Sequence, residues 1–427
     1  MSSRAIENRA AAFDIEWVRA QFPALRQTVN GRPAAFLDAP AGTQVSLRVI
    51  DAMREYFERS NANTLGAFAT SRRSDAMLAE AHRAMGDLLN CDAQEIFLGP
   101  NMTTLTFALA RAIGRELKAG DEIVVTTLDH DANVAPWRAL EEERGVVVRQ
   151  VDIREADCTL DMDDLRAKIT ERTRVVAVGY ASNIVGTINP VAEVVRLAHR
   201  AGALVFIDAV HYAPHGLIDV KALDCDFLGC SPYKFFAPHL GCVYGKRELL
   251  TRLRPYKVRP APNYLPDRWE VGTQTHEGIA GLIGAIEYLA ELGRRCAVGP
   301  IAETRRAALA SAHAAIRRYE MPLAEKLIRG LVEIPGLRFF GISDVARFSE
   351  RVPTVGVRLA GRTPLECATF LGDRGIFTWD GNYYAVNFTE RMGIEADGGV
   401  LRIGLVHYNT AEEVERVLEG LTDLACG

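Results

Sequence analysis

The chain has 427 residues, enough to bury a large core and to divide into two or three domains. Its 48% hydrophobic and 25% charged residues are those of an ordinary globular protein, and a net charge of −5 argues against nucleic acid as a partner. No run of 18 or more apolar residues predicts a membrane span, and Met1 to Arg9 lacks the apolar stretch of a secretory signal.

Asp14-Ile15-Glu16-Trp17 reads as a helix start with Asp14 as N-cap. The first segment, residues 1–30, is expected to pack with a small domain at the other end of the chain. From residue 31 to 296 a large α/β domain is expected. Strand candidates there are Glu95–Gly99, Glu122–Leu128, Val146–Ile153, Arg174–Ala181, Ala203–Ala209, Phe227–Cys230 and Gly241–Tyr244. Amphipathic stretches near Met102–Leu117, Ala132–Arg144, Met162–Ile169 and Ala192–Arg200 alternate with them. Gly120-Asp121 and Ala201-Gly202 mark turns. The alternation predicts a doubly wound, mostly parallel sheet, whose ligand site lies at the carboxyl ends of its strands.

The texture changes near residue 297. A long helix over Thr304–Leu331 is expected, with Pro322 breaking or kinking it. Short segments follow at Leu337–Gly341, Thr354–Leu359, Pro364–Arg374, Ile376–Trp379 and Leu401–Tyr408, then a helix from Ala411 to about Leu424. Residues 297–427 thus predict a small α+β domain. The eight cysteines form no Cys-x-x-Cys pair and have no metal-ligand spacing. Reduced core cysteines in a cytoplasmic protein, with no metal site, are the expectation.

Two strand ends carry the chemistry. Leu204-Val-Phe-Ile-Asp208 ends in an acid, and Phe227–Cys230 is followed by Ser231-Pro-Tyr-Lys234. This pair suits pyridoxal phosphate (PLP). A lysine amine can bind the cofactor's aldehyde, and a carboxylate can keep its ring nitrogen protonated so that the ring takes up electrons. Gly99-Pro-Asn-Met-Thr103 follows a strand and opens a helix, and the free N–H groups of a helix start can receive a phosphate.

Together these residues resemble the class V aminotransferase family of fold-type I PLP enzymes, and most of all its group II cysteine desulfurases. Ser182-Asn-Ile-Val-Gly-Thr-Ile-Asn-Pro190 is the most specific match. The resemblance implies that Asn183 bonds the cofactor's phenolic oxygen and that His130, in Asp129-His130-Asp131, stacks on its ring as a catalytic residue. It implies that Asp208 pairs with the ring nitrogen, and that Lys234 holds the cofactor and then moves the Cα proton. Asn101, Met102, Thr103 and Ser231 are expected at the phosphate. Gly272-Thr273 resembles a phosphate contact donated by a second subunit, implying a homodimer with shared active sites. Arg402 matches the residue that binds the α-carboxylate of an amino-acid substrate.

Three departures stand out. Tyr233 replaces the usual His before the lysine, and His211 replaces a Gln near the cofactor. In Gly375-Ile-Phe-Thr-Trp-Asp-Gly-Asn-Tyr-Tyr-Ala385 the loop's Arg is Trp379, its two His are Asn382 and Tyr383, and its catalytic Cys is Tyr384. Trp379, Asn382 and Tyr384 are therefore expected to meet the substrate, without a thiol to form a persulfide. Elimination from a cysteine-type substrate (a C–S lyase) is favoured. Transamination, epimerisation, side-chain cyclisation and cysteine desulfuration are alternatives, as is a PLP-binding protein without turnover.

Overall fold

The computed structural model describes residues 13–297 and 303–427. The N-terminal residues expected to lack a signal, and the first twelve of the segment 1–30, lie outside the described residues. Seven strands make the larger sheet: β1 (Ile96–Gly99), β2 (Glu122–Thr126), β3 (Val147–Val151), β4 (Thr173–Gly179), β5 (Leu204–Asp208), β6 (Phe227–Cys230) and β7 (Gly241–Gly245). Their order is β1-β7-β6-β5-β4-β2-β3, and β7 alone runs antiparallel to its neighbours.

The strands are apolar and β-branched because both faces of the sheet are covered. Val124, Val176, Val178, Val205 and Ile207 enter one core, while Ile123, Val125, Val175, Ala177 and Phe206 enter the other. That split follows from the two-residue period of a strand. Helices Met102–Gly114, Ala135–Arg144 and Val191–Arg200 run between successive strands. The first carries the chain from β1, at one edge, to β2 near the other. A crevice opens where the connections diverge, at the carboxyl ends of the strands.

The second sheet is antiparallel, in the order β8 (Leu337–Phe340), β9 (Thr354–Leu359), β11 (Val400–Gly404) and β10 (Trp379–Gly381). The strand expected over Ile376–Trp379 is two strands. Ile376–Phe377 pairs in parallel with Ala35–Phe36, and the chain then switches at Thr378 to pair Trp379–Gly381 with β11. β11 ends at Gly404, short of the expected Tyr408, because the Asn409 side chain takes the Val406 N–H at 2.9 Å and turns the chain.

Pro322 does not end its helix, which runs over Arg305–Glu333. Buried side chains flank it on both sides, Ile316 and Glu320 before it and Leu323, Ala324 and Leu327 after it. Their packing outweighs the roughly 3 kcal/mol that an interior proline costs. Ala308, Leu309, Ala315 and Ile316 belong to the core of the larger sheet, whereas Leu323, Leu327, Ile328 and Leu331 belong to that of the smaller one. One helix therefore serves both bodies.

The N-terminal segment also touches both. The Asp14 carboxylate accepts the Trp17 N–H at 3.0 Å, Val18 and Phe22 enter the large core, and Arg19 bonds Glu413 at 2.9 Å. No described helix is long and apolar enough to cross a membrane.

Candidate active site

A cavity of about 400 Å³ opens at the carboxyl ends of β4, β5 and β6 and at the start of helix Met102–Gly114. Arg402 on β11 and the loop from Trp379 to Tyr384 form its other wall. Of the site residues read from the sequence, Lys234, Asp208, His130, Asn183, His211, Met102, Thr103, Ser231, Tyr233, Arg402, Trp379, Asn382 and Tyr384 all line it. Asn101 and Thr273 do not.

β6 ends at Cys230, and Pro232 starts a single helical turn that closes on Lys234. The Lys234 amine donates to the carbonyl of Ala41 at 2.9 Å and to that of Pro40. Burial, and then the nearby Arg402 charge, push its pKa down to about 7. A neutral amine is a nucleophile for an aldehyde and a base for a carbon acid.

The shift also has a stability consequence. Below pH 7 the amine is charged in both folded and unfolded chains, and the buried charge opposes folding. Between about 7 and the ordinary value of 10.5 only the unfolded chain keeps the proton, so stability rises with pH. Lys234→Met is expected to raise the melting temperature of the cofactor-free protein most at pH 6, with the gain shrinking by pH 9. A calorimetric difference that does not vary with pH would contradict the shifted amine.

Asp208, the last residue of β5, is 7% exposed and accepts the Val210 N–H at 2.9 Å. Burial pushes its pKa up to about 6. A buried carboxylate so placed gains from a cationic partner, and a protonated pyridine nitrogen would be one. Asp129, which the sequence marked only as a neighbour of His130, lies in the same wall. Burial and the Asp208 charge push it up to about 8. Its carboxyl bonds Thr126 Oγ1 at 2.9 Å. Burial holds the His130 imidazole down to about 4; its Nδ1 accepts the Ala132 N–H at 3.0 Å, and its ring stacks on Tyr384.

At the phosphate end, the Asn101 side chain is turned to its own helix, where it accepts the Thr104 N–H at 2.8 Å. Its side chain thus caps its own helix, and Asn101 is not among the residues that line the cavity. The Leu105 N–H goes to the Asn101 carbonyl, so Met102 and Thr103 keep free amides beside the cavity. Gly241 of β7 packs against this turn, and a Cβ there would meet the backbone of Asn101 and Met102. Thr273 is exposed and away from this chain's cavity.

Two buried arginines differ in how far the backbone satisfies them. Arg351 donates to the carbonyls of Ile342, Val185 and Thr354 and is satisfied by backbone. Arg402 donates to one carbonyl, that of Asn183 at 2.9 Å, and its Nε has no partner. Its guanidinium lies 3.8 Å from the Tyr383 ring centre, and among the described residues it has no salt bridge. A buried cation with unfilled donors beside a cavity can take a carboxylate. Asn183 donates to the Tyr383 carbonyl at 2.9 Å, while its Oδ1 is buried without a partner. His211 bonds Thr354 Oγ1 at 3.0 Å, and burial holds its pKa well below the ordinary value.

The eight cysteines are all described and none lines the cavity. Cys367 is 1% exposed in the small-domain core, with its thiol pKa raised by burial. Asp38 went unread in the sequence. It has a buried unpartnered Oδ1 and lies close enough to Arg402 and Lys234 to feel both charges.

These features fit PLP. Lys234 can bind the aldehyde, Asp208 can face the ring nitrogen, and Ser231 with the Met102 and Thr103 amides can hold the phosphate. The known proteins agree. The family profile described as aminotransferase class-V matches residues 35–417. A cysteine desulfurase of Dickeya dadantii is 32% identical over 425 residues, covering 96% of each chain. One of Pectobacterium atrosepticum is 33% identical over 430 residues, covering 96% of this chain and 98% of its own. The apo cysteine desulfurase of Thermococcus onnurineus superposes with a TM-score of 0.85 at 25% identity, covering 100% of both chains. The cysteine desulfurase CsdA of Escherichia coli gives 0.82 at 27% identity, covering 97% of this chain and 99% of its own. Sequence match, fold and cavity chemistry agree, and the chain belongs to the class-V aminotransferase family of fold-type I, PLP-dependent enzymes.

Proposed function

We propose that the enzyme eliminates the sulfur substituent of a cysteine-type amino acid and forms no protein persulfide. One observation carries this reading: Lys234, Asp208 and Arg402 share a cavity that no cysteine lines. Bound PLP supplies the electron sink that makes a Cα proton removable. With the cofactor held there, Arg402 would bind the α-carboxylate, Lys234 would take the Cα proton, and Asp208 would stay ionised to pair with the ring nitrogen. His130 would stack on the cofactor ring. The Cβ–S bond then breaks with its electrons leaving on sulfur, which needs no thiol from the protein.

The names of the relatives favour a second reading, cysteine desulfuration. Products separate the two. With L-cysteine and a thiol reductant, elimination yields sulfide, pyruvate and ammonia, whereas desulfuration yields alanine. We expect pyruvate in at least tenfold excess over alanine. Stoichiometric alanine with a persulfide on any cysteine, Cys367 included, would replace elimination with desulfuration.

The reading includes a homodimer whose sites are shared. Thr273 is exposed on its own chain, and Leu47, Ile50, Phe57, Leu65 and Phe68 expose apolar surface on neighbouring elements. Buried between two copies, such surface drives association. Light scattering at assay concentration is expected to give twice the chain mass, and a fully active monomer would count against sharing.

A further inference from the structure

Resting on the elimination reading, we infer that the mouth of the cavity is a subsite for an uncharged aryl group on the substrate sulfur, so that the substrate class is the S-aryl-L-cysteines. Trp379 and Arg402 are cross-strand partners on β10 and β11, so their side chains leave the sheet on the same face. An α-carboxylate on Arg402 therefore brings the substrate's own side chain beside Trp379. Tyr384 stacks on His130 with ring centres 5.2 Å apart and planes 26° apart. All four residues line the cavity with Lys234.

Trp379 and Tyr384 are 52% and 69% exposed. Aromatic faces of this size gain by being covered with a flat apolar group. Their loop is also held. Tyr383 and Tyr384 have φ of +56° and +60°, a left-handed conformation that residues with a Cβ rarely adopt. Asn183 donates to the Tyr383 carbonyl at 2.9 Å, the Tyr383 hydroxyl donates to the Val400 carbonyl at 2.7 Å, and the Asp131 N–H donates to the Tyr384 carbonyl at 2.7 Å. The Tyr384 ring is thus presented by fixed backbone. A small alkyl group would leave both aromatic faces wet, and a strongly hydrated anionic one would gain little from them.

The chemistry of departure points the same way. Lys234 takes the Cα proton, and the Cβ–S bond breaks with its electron pair going to sulfur. The imidazole of His130, its pKa held near 4 by burial, carries no proton to spare for that sulfur at neutral pH. An aryl thiolate is a weak base, departs unprotonated and takes its proton from water at the mouth. The balance is S-aryl-cysteine plus water giving arenethiol, pyruvate and ammonia, with no oxidant or reductant.

The test titrates the holoenzyme with S-phenyl-, S-methyl- and S-sulfo-L-cysteine, reading tryptophan fluorescence and pyruvate release. S-phenyl-L-cysteine is expected to bind about tenfold tighter than the S-methyl compound. Its quench should be reduced in Trp379→Phe. Tyr384→Ala should narrow the preference to about twofold, and Tyr384→Phe should keep it. Equal affinity for phenyl and methyl compounds, preference for the S-sulfo compound, or a preference that survives both Tyr384→Ala and Trp379→Ala would overturn the subsite. A phenyl preference with no pyruvate from any of the three leaves the aryl subsite standing and overturns the elimination reading.

Discussion

Lys234→Ala is expected to lose at least about 10³-fold in turnover, within the range that a positioned acid–base group supplies. The amine meets only two backbone carbonyls, and its pKa, pushed down to about 7, leaves a large neutral fraction at pH 7 that nothing else in the cavity duplicates. The other buried bases are poorly suited. His130 accepts a backbone N–H on Nδ1, and His211 is tied to Thr354. Borohydride treatment of the wild-type holoenzyme should fix the cofactor's mass on the peptide that carries Lys234. Recovery of that mass on any peptide of the variant would remove Lys234 from its role.

Arg402→Ala is expected to lower kcat/KM for amino acids by roughly 30- to 5,000-fold, the equivalent of about 2–5 kcal/mol for one member of a buried charge pair. Cofactor content should be retained. Removing this arginine should not unfold the protein, because it abandons one carbonyl and no carboxylate. Arg402→Lys should recover only part of the loss, since an ammonium cannot present the two-pronged fork a carboxylate fits. An amine lacking the carboxylate should be handled alike by wild type and variant, if at all. Unchanged kcat/KM for amino acids in Arg402→Ala would send the carboxylate elsewhere.

Much of this site was legible in the sequence because it sits at strand ends. β4, β5 and β6 are apolar runs buried on both faces, and the first polar residues after such runs fall at the crevice. Asp208 and Lys234 were found that way, and Asn183 through the family resemblance of Ser182–Pro190. What escaped depends on contacts between distant segments. Asp38 follows a two-residue strand whose ladder partner, Ile376–Phe377, lies more than 300 residues away. Asp129 gains its raised pKa from Asp208 and burial, neither of which is local. The left-handed pair Tyr383 and Tyr384 is held by Asn183, Val400 and Asp131, and no turn signal in the sequence encodes it. Arg351 and Arg402 both stand in or beside apolar runs; only the count of carbonyls around each distinguishes a structural pin from a ligand site.

The helix Arg305–Glu333 has a mechanical meaning. Pro322 has no N–H to give the carbonyl of Arg318, so one rung of the helix is missing where the large core hands over to the small one. The rod is most compliant at that point. A bend there tilts the smaller sheet, and with it Arg402 and Trp379, against Lys234 on the larger body, while each core keeps its own packing. The gap between Arg402 and Lys234 thus depends on the stiffness of that turn as well as on the bonds Asn183 makes to Arg402 and Tyr383. Hydrogen exchange at residues 318–321, compared with and without a bound amino acid, reads that stiffness directly.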